Sequence, residues 1–422
     1  MTSLSLPTLI DDTGTGAAAV DSTAAHPLSA VFGQTAAEFV ADAAKSRVQN
    51  SVAMAQYSAL FRSGQLSKPE QSAHGPFSGP QVVREHRSRS AEGEVLKFAL
   101  RVPISNGVTA SAVPWLETES VLIPMVGRTR ELTYTLCVSS QVGCAMGCTF
   151  CQTGQMGLIR SLSAAEIVAQ WFAAQHVVAR PDMAAPIRNI VFMGMGEPMD
   201  NLDAVLQAVE VLTDRRGPAV AMSRITISTV GRIDGIKRLA ARIGNEGWHR
   251  LGLAVSLNAP NDAVRSGIMP INRGMPMAEL RTALAAWPLY GGTHLCIEYV
   301  LIPGVNDQPE HAAQLAAFMK GESYTTLELD GAPAAAVPRF SGPPLQGLVN
   351  VIPYNPRDNS PWPAATDDDA EAFMLQLKAQ MVYCKRRRTK GRDTMAACGQ
   401  LGNAEIRRSQ RAGAAVPSTV SG

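Results

Sequence analysis

Five apolar runs in the second half of the chain constrain its fold most: IRNIVFMG (187–194), RITIST (224–229), LGLAVSL (251–257), HLCIEYVLI (294–302) and LVNVIPY (348–354). They are continuous rather than alternating, as expected of strands covered on both faces. Helical patterns separate them, near 201–214, 233–243, 308–320 and 367–380. Asn201 is placed to cap the first of these and Asn261 to cap a short helix after LGLAVSL. Such a series implies an α/β fold on a parallel sheet, open or partly rolled into a barrel. Upstream, VLKFAL (95–100) and SVLIP (120–124) read as short strands. Ser163-Ala-Ala-Glu166 is a capping box, followed by Ile167, Trp171, Ala174 and Val178 on one helix face, which makes Trp171 a core residue.

The 422 residues are 46% hydrophobic and 18% charged, a globular composition with room for more than one unit. Residues 1–30 are Ala/Thr/Ser-rich and carry acids without a Lys or Arg, fitting neither a signal peptide nor a transit peptide. They read as a disordered tail. Residues 31–94 read as a small helical region, mostly over 31–75, with a polar linker around 72–80. The core spans 95–402, and 403–422 is a basic, flexible tail. The Pro/Gly/Ala-rich stretch 329–347 reads as a surface insertion. No run of about 18 uncharged apolar residues occurs, so a cytoplasmic protein is expected.

Basic residues gather late: Lys385, Arg386, Arg387, Arg388, Lys390, Arg392, Arg407, Arg408 and Arg411, against Asp393 and Glu405. Such a run either lies solvated or meets a phosphate backbone. A weaker basic stretch holds Arg84, Arg87 and Arg89.

Seven cysteines on a long chain without a secretory leader suggest a reducing compartment and metal or redox chemistry. Four of them fall in CVSSQVGCAMGCTFC (137–151). Cys144, Cys148 and Cys151 form C-x3-C-x2-C, a spacing that lets three thiolates converge on one centre. Zinc would want a fourth protein ligand, and none follows in the segment. A [4Fe–4S] cube normally takes four cysteines, so three leave one iron open to a small molecule. Cys296 and Cys384 read as buried small residues.

The C-x3-C-x2-C run followed by GMGEP resembles the radical S-adenosylmethionine (SAM) superfamily. The wider text is similar to the RlmN/Cfr family of RNA (adenine) methyltransferases. That similarity runs through NIVFMGMGEPMDN (189–201), ITISTVG (225–231), LAVSLNAPND (253–262), MPINR (269–273), IEYVLIPGVND (297–307), VIPYNP (351–356) and RRTKGRDTMAACGQL (387–401), in family order.

The resemblance implies a radical SAM partial (β/α)6 barrel with a small helical N-terminal accessory region. It implies a [4Fe–4S] cluster on Cys144, Cys148 and Cys151, with SAM chelated at the open iron. Gly196, Glu197, Ser228, Ser256, Leu257, Asn258 and Asn355 would contact SAM; Asn258 stands where the family usually has His. Two SAM molecules would be used. The first methylates Cys398, and the second yields a 5′-deoxyadenosyl radical that activates that methyl group for addition to adenine. Cys137 would then attack the sulfur of Cys398 in a transient disulfide and release the RNA. Glu119 would take the proton from the adenine carbon. The implied substrate is adenosine C2 in 23S rRNA and, for RlmN proteins, also tRNA. Cfr-like C8 methylation and a catalytically silent iron–sulfur RNA-binding protein are the alternatives. An electron donor such as flavodoxin or ferredoxin is the implied reductant.

Overall fold

The computed structural model describes residues 28–65, 77–103, 115–127, 129–180, 182–291, 295–323, 340–357, 359–387, 390–391 and 395–402. Most of the expected tail 1–30, all of 403–422 and most of the expected insertion at 329–347 lie outside these residues; Ala30, expected in the tail, opens a short 3-10 turn. Two helices lead, α1 (Ala36–Lys45) and α2 (Asn50–Ser63). Thr35 and Glu38 cap α1 reciprocally, and Gly64 ends α2 in the left-handed region at φ 68°.

An antiparallel meander follows: β1 (Val82–Ser90), β2 (Gly93–Val102), β3 (Leu116–Val126) and β4 (Leu132–Cys137). The weaker basic stretch is therefore a strand. Its Arg84 pairs with Glu117, and Arg87 with Glu85 and Glu94, so these charges are largely spent within the sheet. Charge suits β1 because it is an edge strand. Its pairing with β2 also carries the sheet across the expected boundary at residue 94.

A hairpin of β5 (Gln141–Cys144) and β6 (Gly157–Ser161) encloses α3 (Gln152–Met156) and the cysteine loop. Strand and helix then alternate: α4 (Ala164–Phe172), β7 (Ile187–Phe192), α5 (Leu202–Thr213), β8 (Ile225–Thr229), α6 (Ile233–Ile243) and β9 (Gly252–Ser256). The series continues with α7 (Asp262–Ile268), α8 (Met277–Ala285), β10 (Leu295–Leu301), α9 (Pro309–Lys320), β11 (Leu348–Pro353), α10 (Asp367–Ala379) and β12 (Cys384–Arg386). Asn261 caps α7 through its Oδ1, 2.9 Å from the Val264 N–H. Asn201 occupies the N-cap position of α5 without capping it. Its amide instead donates to the Ser140 and Leu162 carbonyls, pinning the β5–β6 hairpin.

The sheet order is β1-β2-β3-β4-β7-β8-β9-β10-β11-β12, and every pairing from β4 onward is parallel. Parallel strands laid down in chain order by right-handed crossovers carry their helices on one face. This is barrel-type winding, not the doubly wound kind. Among the described residues β1 and β12 are the sheet's two edges, so the barrel is partial. Its concave face is visible in alternate residues of successive strands, among them Thr135 and Cys137, Cys296 and Glu298, and Asn350 and Ile352, which line one cavity. No helix among the described residues is long and apolar enough to cross a membrane.

The N-terminal helices dock on α4 through an aromatic cluster. Phe32 meets Phe172 edge-on at 4.9 Å between centroids, and Phe61 lies 4.8 Å from Tyr57 and 6.4 Å from Trp171. Trp171 is thus core, as its helix face predicts. Because Phe61 is fully enclosed, Phe61→Ala should cost about 3–5 kcal/mol. Limited proteolysis should then cut within 28–65 before the sheet.

Candidate active site

The cysteine loop sits at the carboxyl-terminal rim of the parallel strands, where ligands of such sheets bind. Its backbone is fixed from several sides. Thr149 N–H donates to the Ile268 carbonyl at 3.0 Å, Arg357 Nε to the Thr149 carbonyl at 2.8 Å, and Gln155 Nε2 to the Cys148 carbonyl at 3.0 Å. Cys144, Cys148 and Cys151 all line one cleft, about 970 Å³ counting its open mouth. Burial pushes the Cys144 thiol up to about 12, and Cys148 and Cys151 also titrate high, each raised further by a neighbouring thiolate. Three soft donors that repel one another as thiolates call for a cationic centre. No group of three or more His, Cys, Asp or Glu among the described residues is arranged to hold a single metal ion. An iron–sulfur cube gives each thiolate its own iron, and the residues present fit that group.

The same cleft is lined by Gly196, Glu197, Ser228, Ser256, Asn258 and Asn355. Gly196 takes φ 100°, and a Cβ there would come within 2.5 Å of the Gln141 side chain. Glu197 is buried, and its carboxylate accepts from the Met199 and Val230 N–H groups at 3.0 and 2.9 Å. Burial nevertheless raises its pKa to about 7, so the site favours an approaching ammonium group. Leu257 does not line the cleft. It is fully buried, and its N–H donates to the Glu298 carbonyl at 3.0 Å.

Asn258 is explained by its backbone, which is left-handed at φ 56°, a conformation Asn tolerates well. Its Oδ1 accepts from the Val300 N–H at 2.9 Å, and its carbonyl accepts from Asn306 at 2.8 Å. The side chain is thus a knot between two strand ends that also faces the cleft.

Arg265 carries no site signal in the sequence, yet it braces the rim. Fully buried, it donates to the carbonyls of Leu257, Ser256 and Val230 and to Asn272 Oδ1. Burial lowers its pKa to about 10, which still leaves it charged at neutral pH.

A second cavity, about 1490 Å³ counting its open mouth, lies against the concave sheet face and is lined by Cys137 and Cys398. Cys398 and Arg387 line both cavities. All seven cysteines are free thiols, so the expected disulfide is absent: Cys137 and Cys398 share a cavity rather than a bond. Burial pushes the Cys137 thiol up to about 12; the charge of Cys398 adds to this, and Arg387 opposes it. Arg387 Nη1 lies 3.8 Å from Glu298 Oε2, and Cys398 first, then Glu298, push the guanidinium's pKa further up against the effect of burial.

The late basic run is therefore not a uniform solvated tail. Arg387 faces the cavities, Lys390 pairs with Glu92, Arg386 pairs with Asp367, and exposed Lys385 lies over Tyr383. Composition could not separate these fates. Glu119 lines neither cavity: Lys97 Nζ lies 3.3 Å from its Oε1, and the Gly402 N–H donates to Oε2 at 2.8 Å.

Residues 138–316 match the Radical SAM superfamily, the class that this fold and thiol-bearing loop define. A probable dual-specificity RNA methyltransferase RlmN 1 of Protochlamydia amoebophila is 42% identical over 293 residues, covering 69% of this chain and 72% of its own. A probable dual-specificity RNA methyltransferase RlmN of Acidothermus cellulolyticus is 43% identical over 280 residues, covering 65% and 59%. The crystal structure of a radical SAM methyltransferase from Sphaerobacter thermophilus superposes with a TM-score of 0.72 at 33% identity, covering 89% of this chain and 99% of that one. The chain belongs to the RlmN family of radical SAM methyltransferases.

Glu197 supplies a prediction for the protein without SAM. Its raised pKa means that the folded state prefers the neutral carboxyl, so Glu197's contribution to stability is fully present below about 4.5 and is lost as pH rises through about 7. Glu197→Gln should remove that slope. Because the amide offers one acceptor to the Met199 and Val230 N–H groups, the variant should be less stable than the parent at low pH and close on it by neutral pH, read from urea unfolding at several pH values.

Proposed function

We propose that this protein methylates C2 of an adenosine in 23S rRNA, and in tRNA, with Cys398 as the methyl carrier. The single observation that carries this reading is that Cys398 lines both the cleft of the three cluster-type cysteines and the cavity of Cys137. A carrier must visit a donor and an acceptor, and one side chain reaches both. When bound, the cluster and SAM supply the methyl group and the radical chemistry that an unactivated adenine carbon requires.

The remaining work falls to this chain. Glu197 and the polar strand ends at Ser228, Ser256 and Asn355 orient SAM, the carboxylate by meeting its amino group. Arg387, close to both thiols, stabilises whichever is ionised. Cys137 acts last: it gives up its proton and bonds to the sulfur of Cys398 as the bond from that sulfur to the base's new carbon breaks, and that carbon takes a proton to leave as the methyl group. Its thiol is neutral at rest, which suits a group that should not react before the adduct forms. Glu119 is the base for the adenine proton, a role that requires its carboxylate to leave Lys97 and Gly402. The base must be exposed from its stack, at about a few kcal/mol, to enter the cavity.

Peptide mass spectrometry of anaerobically purified, cluster-reconstituted protein supplied with SAM is the test. One added methyl group on the Cys398 peptide is expected; an unmodified Cys398 in loaded protein overturns the proposal. With RNA added, Cys137→Ala should accumulate a protein–RNA adduct visible on a denaturing gel. Cys398→Ala should form none.

A further inference from the structure

Lys97 is out of place. It interrupts the apolar run VLKFAL in β2, only 7% exposed, and a buried charge is costly unless paired. The sheet itself does not need it, because β2 is already hydrogen-bonded to β1 and β3 through its backbone. Apolar side chains of similar volume in place of the whole Lys97–Glu119 pair would serve stability as well or better. What Lys97 touches explains its presence. Its Nζ lies 3.3 Å from Glu119 Oε1 and donates to the Met395 carbonyl at 3.2 Å. The other oxygen of Glu119 accepts from the Gly402 N–H at 2.8 Å. One buried ion pair thus holds the strap 395–402 at both ends, with Cys398 between them.

The rest of the strap is built to present that thiol. Met395 enters in the left-handed region, at φ 51°, and Gly399 turns the chain at φ 82°. The Gln400 N–H closes the turn onto the Ala397 carbonyl at 3.1 Å, and the Gln400 side chain returns to the Ala397 N–H and to the Pro356 carbonyl. On the far side, the Gln152 N–H donates to the Gly399 carbonyl at 2.7 Å, next to Cys151.

We infer that Lys97 and Glu119 form a latch that positions the Cys398 strap between the two cavities, with Lys97 a positioning residue for the methyl carrier. The functional meaning of the latch rests on the assignment of Cys398 above, but its geometry does not. The latch also sets the condition under which Glu119 is free to act as a base: the strap must first let go.

The test uses full-length, cluster-reconstituted protein and iodoacetamide, with alkylation of each cysteine followed over time by peptide mass spectrometry. Lys97→Met should raise the rate at Cys398 by about tenfold, as expected for losing a charge-assisted hydrogen bond that holds the strap closed. Cys296 and Cys384 should keep their wild-type rates, and Lys97→Arg should restore slow alkylation of Cys398. The double variant Lys97→Met/Glu119→Gln leaves no unpaired buried charge, and should open the strap equally if the single variant folds poorly. An unchanged Cys398 rate in the folded variants overturns the latch. So does equal acceleration of Cys398, Cys296 and Cys384, which would mean general loosening. The readout needs neither RNA nor turnover, so its failure would leave the methyl-carrier assignment standing, and failure of that assignment would leave this result intact.

Discussion

Everything at the site depends on how the parallel strands are wound. Strands β4 and β7–β12 follow one another in the sheet in the order they occur in the chain, each crossover returning on the same side. Their carboxyl ends therefore gather on a single rim, and residues far apart in sequence meet there: Glu197 beyond β7, Ser228 in β8, Ser256 in β9, Asn355 beyond β11. Arg265 makes that convergence rigid by gathering the carbonyls that follow β8 and β9 onto one guanidinium. A rim left to loops alone would leave those carbonyls unsatisfied in a dry interior.

The second organising element is the cation between the thiols. Buried thiolates are unfavourable, and several in one place more so. Arg387 borders the cavity that Cys398, Cys137, Cys296 and Glu298 line, with its Nη1 3.8 Å from Glu298 Oε2. A lysine there would be a single point charge on a flexible stem, whereas the flat guanidinium can face several partners at once. Its own backbone is fixed too: the Arg387 N–H donates to the Val351 carbonyl at 2.8 Å and so continues the ladder of β12 on β11.

Much of this was legible in the sequence. The covered parallel strands announce themselves as unbroken apolar runs, and Ser163 and Asn261 mark helix starts by local chemistry alone. The cysteine spacing is likewise local. What was not legible depends on distant partners. β1 reads only as a weak basic stretch because an edge strand need not look apolar, and its Arg84 finds Glu117 only after β3 has paired with β2. Arg387 and Lys390 look like members of a solvated run until Glu298 and Glu92 are brought beside them. Asn201 has the right residue type for a cap, yet its amide serves the Ser140 and Leu162 carbonyls. Asn258 reads as a lost imidazole, whereas the fold uses it as a left-handed hinge between strands.

The strap that carries Cys398 is joined to the sheet by partners 298 and 283 residues away, between Lys97 and Met395 and between Glu119 and Gly402. A ribosome emits the chain from the amino end at roughly 5–20 residues per second. The cysteine loop, the strands of the rim and the buried glutamate all emerge well before residue 395. For an interval of some seconds the nascent protein has a nearly complete basin without its cover. The last stretch of polypeptide, with Cys398 on it, folds across that rim only after the sheet beneath it has been made.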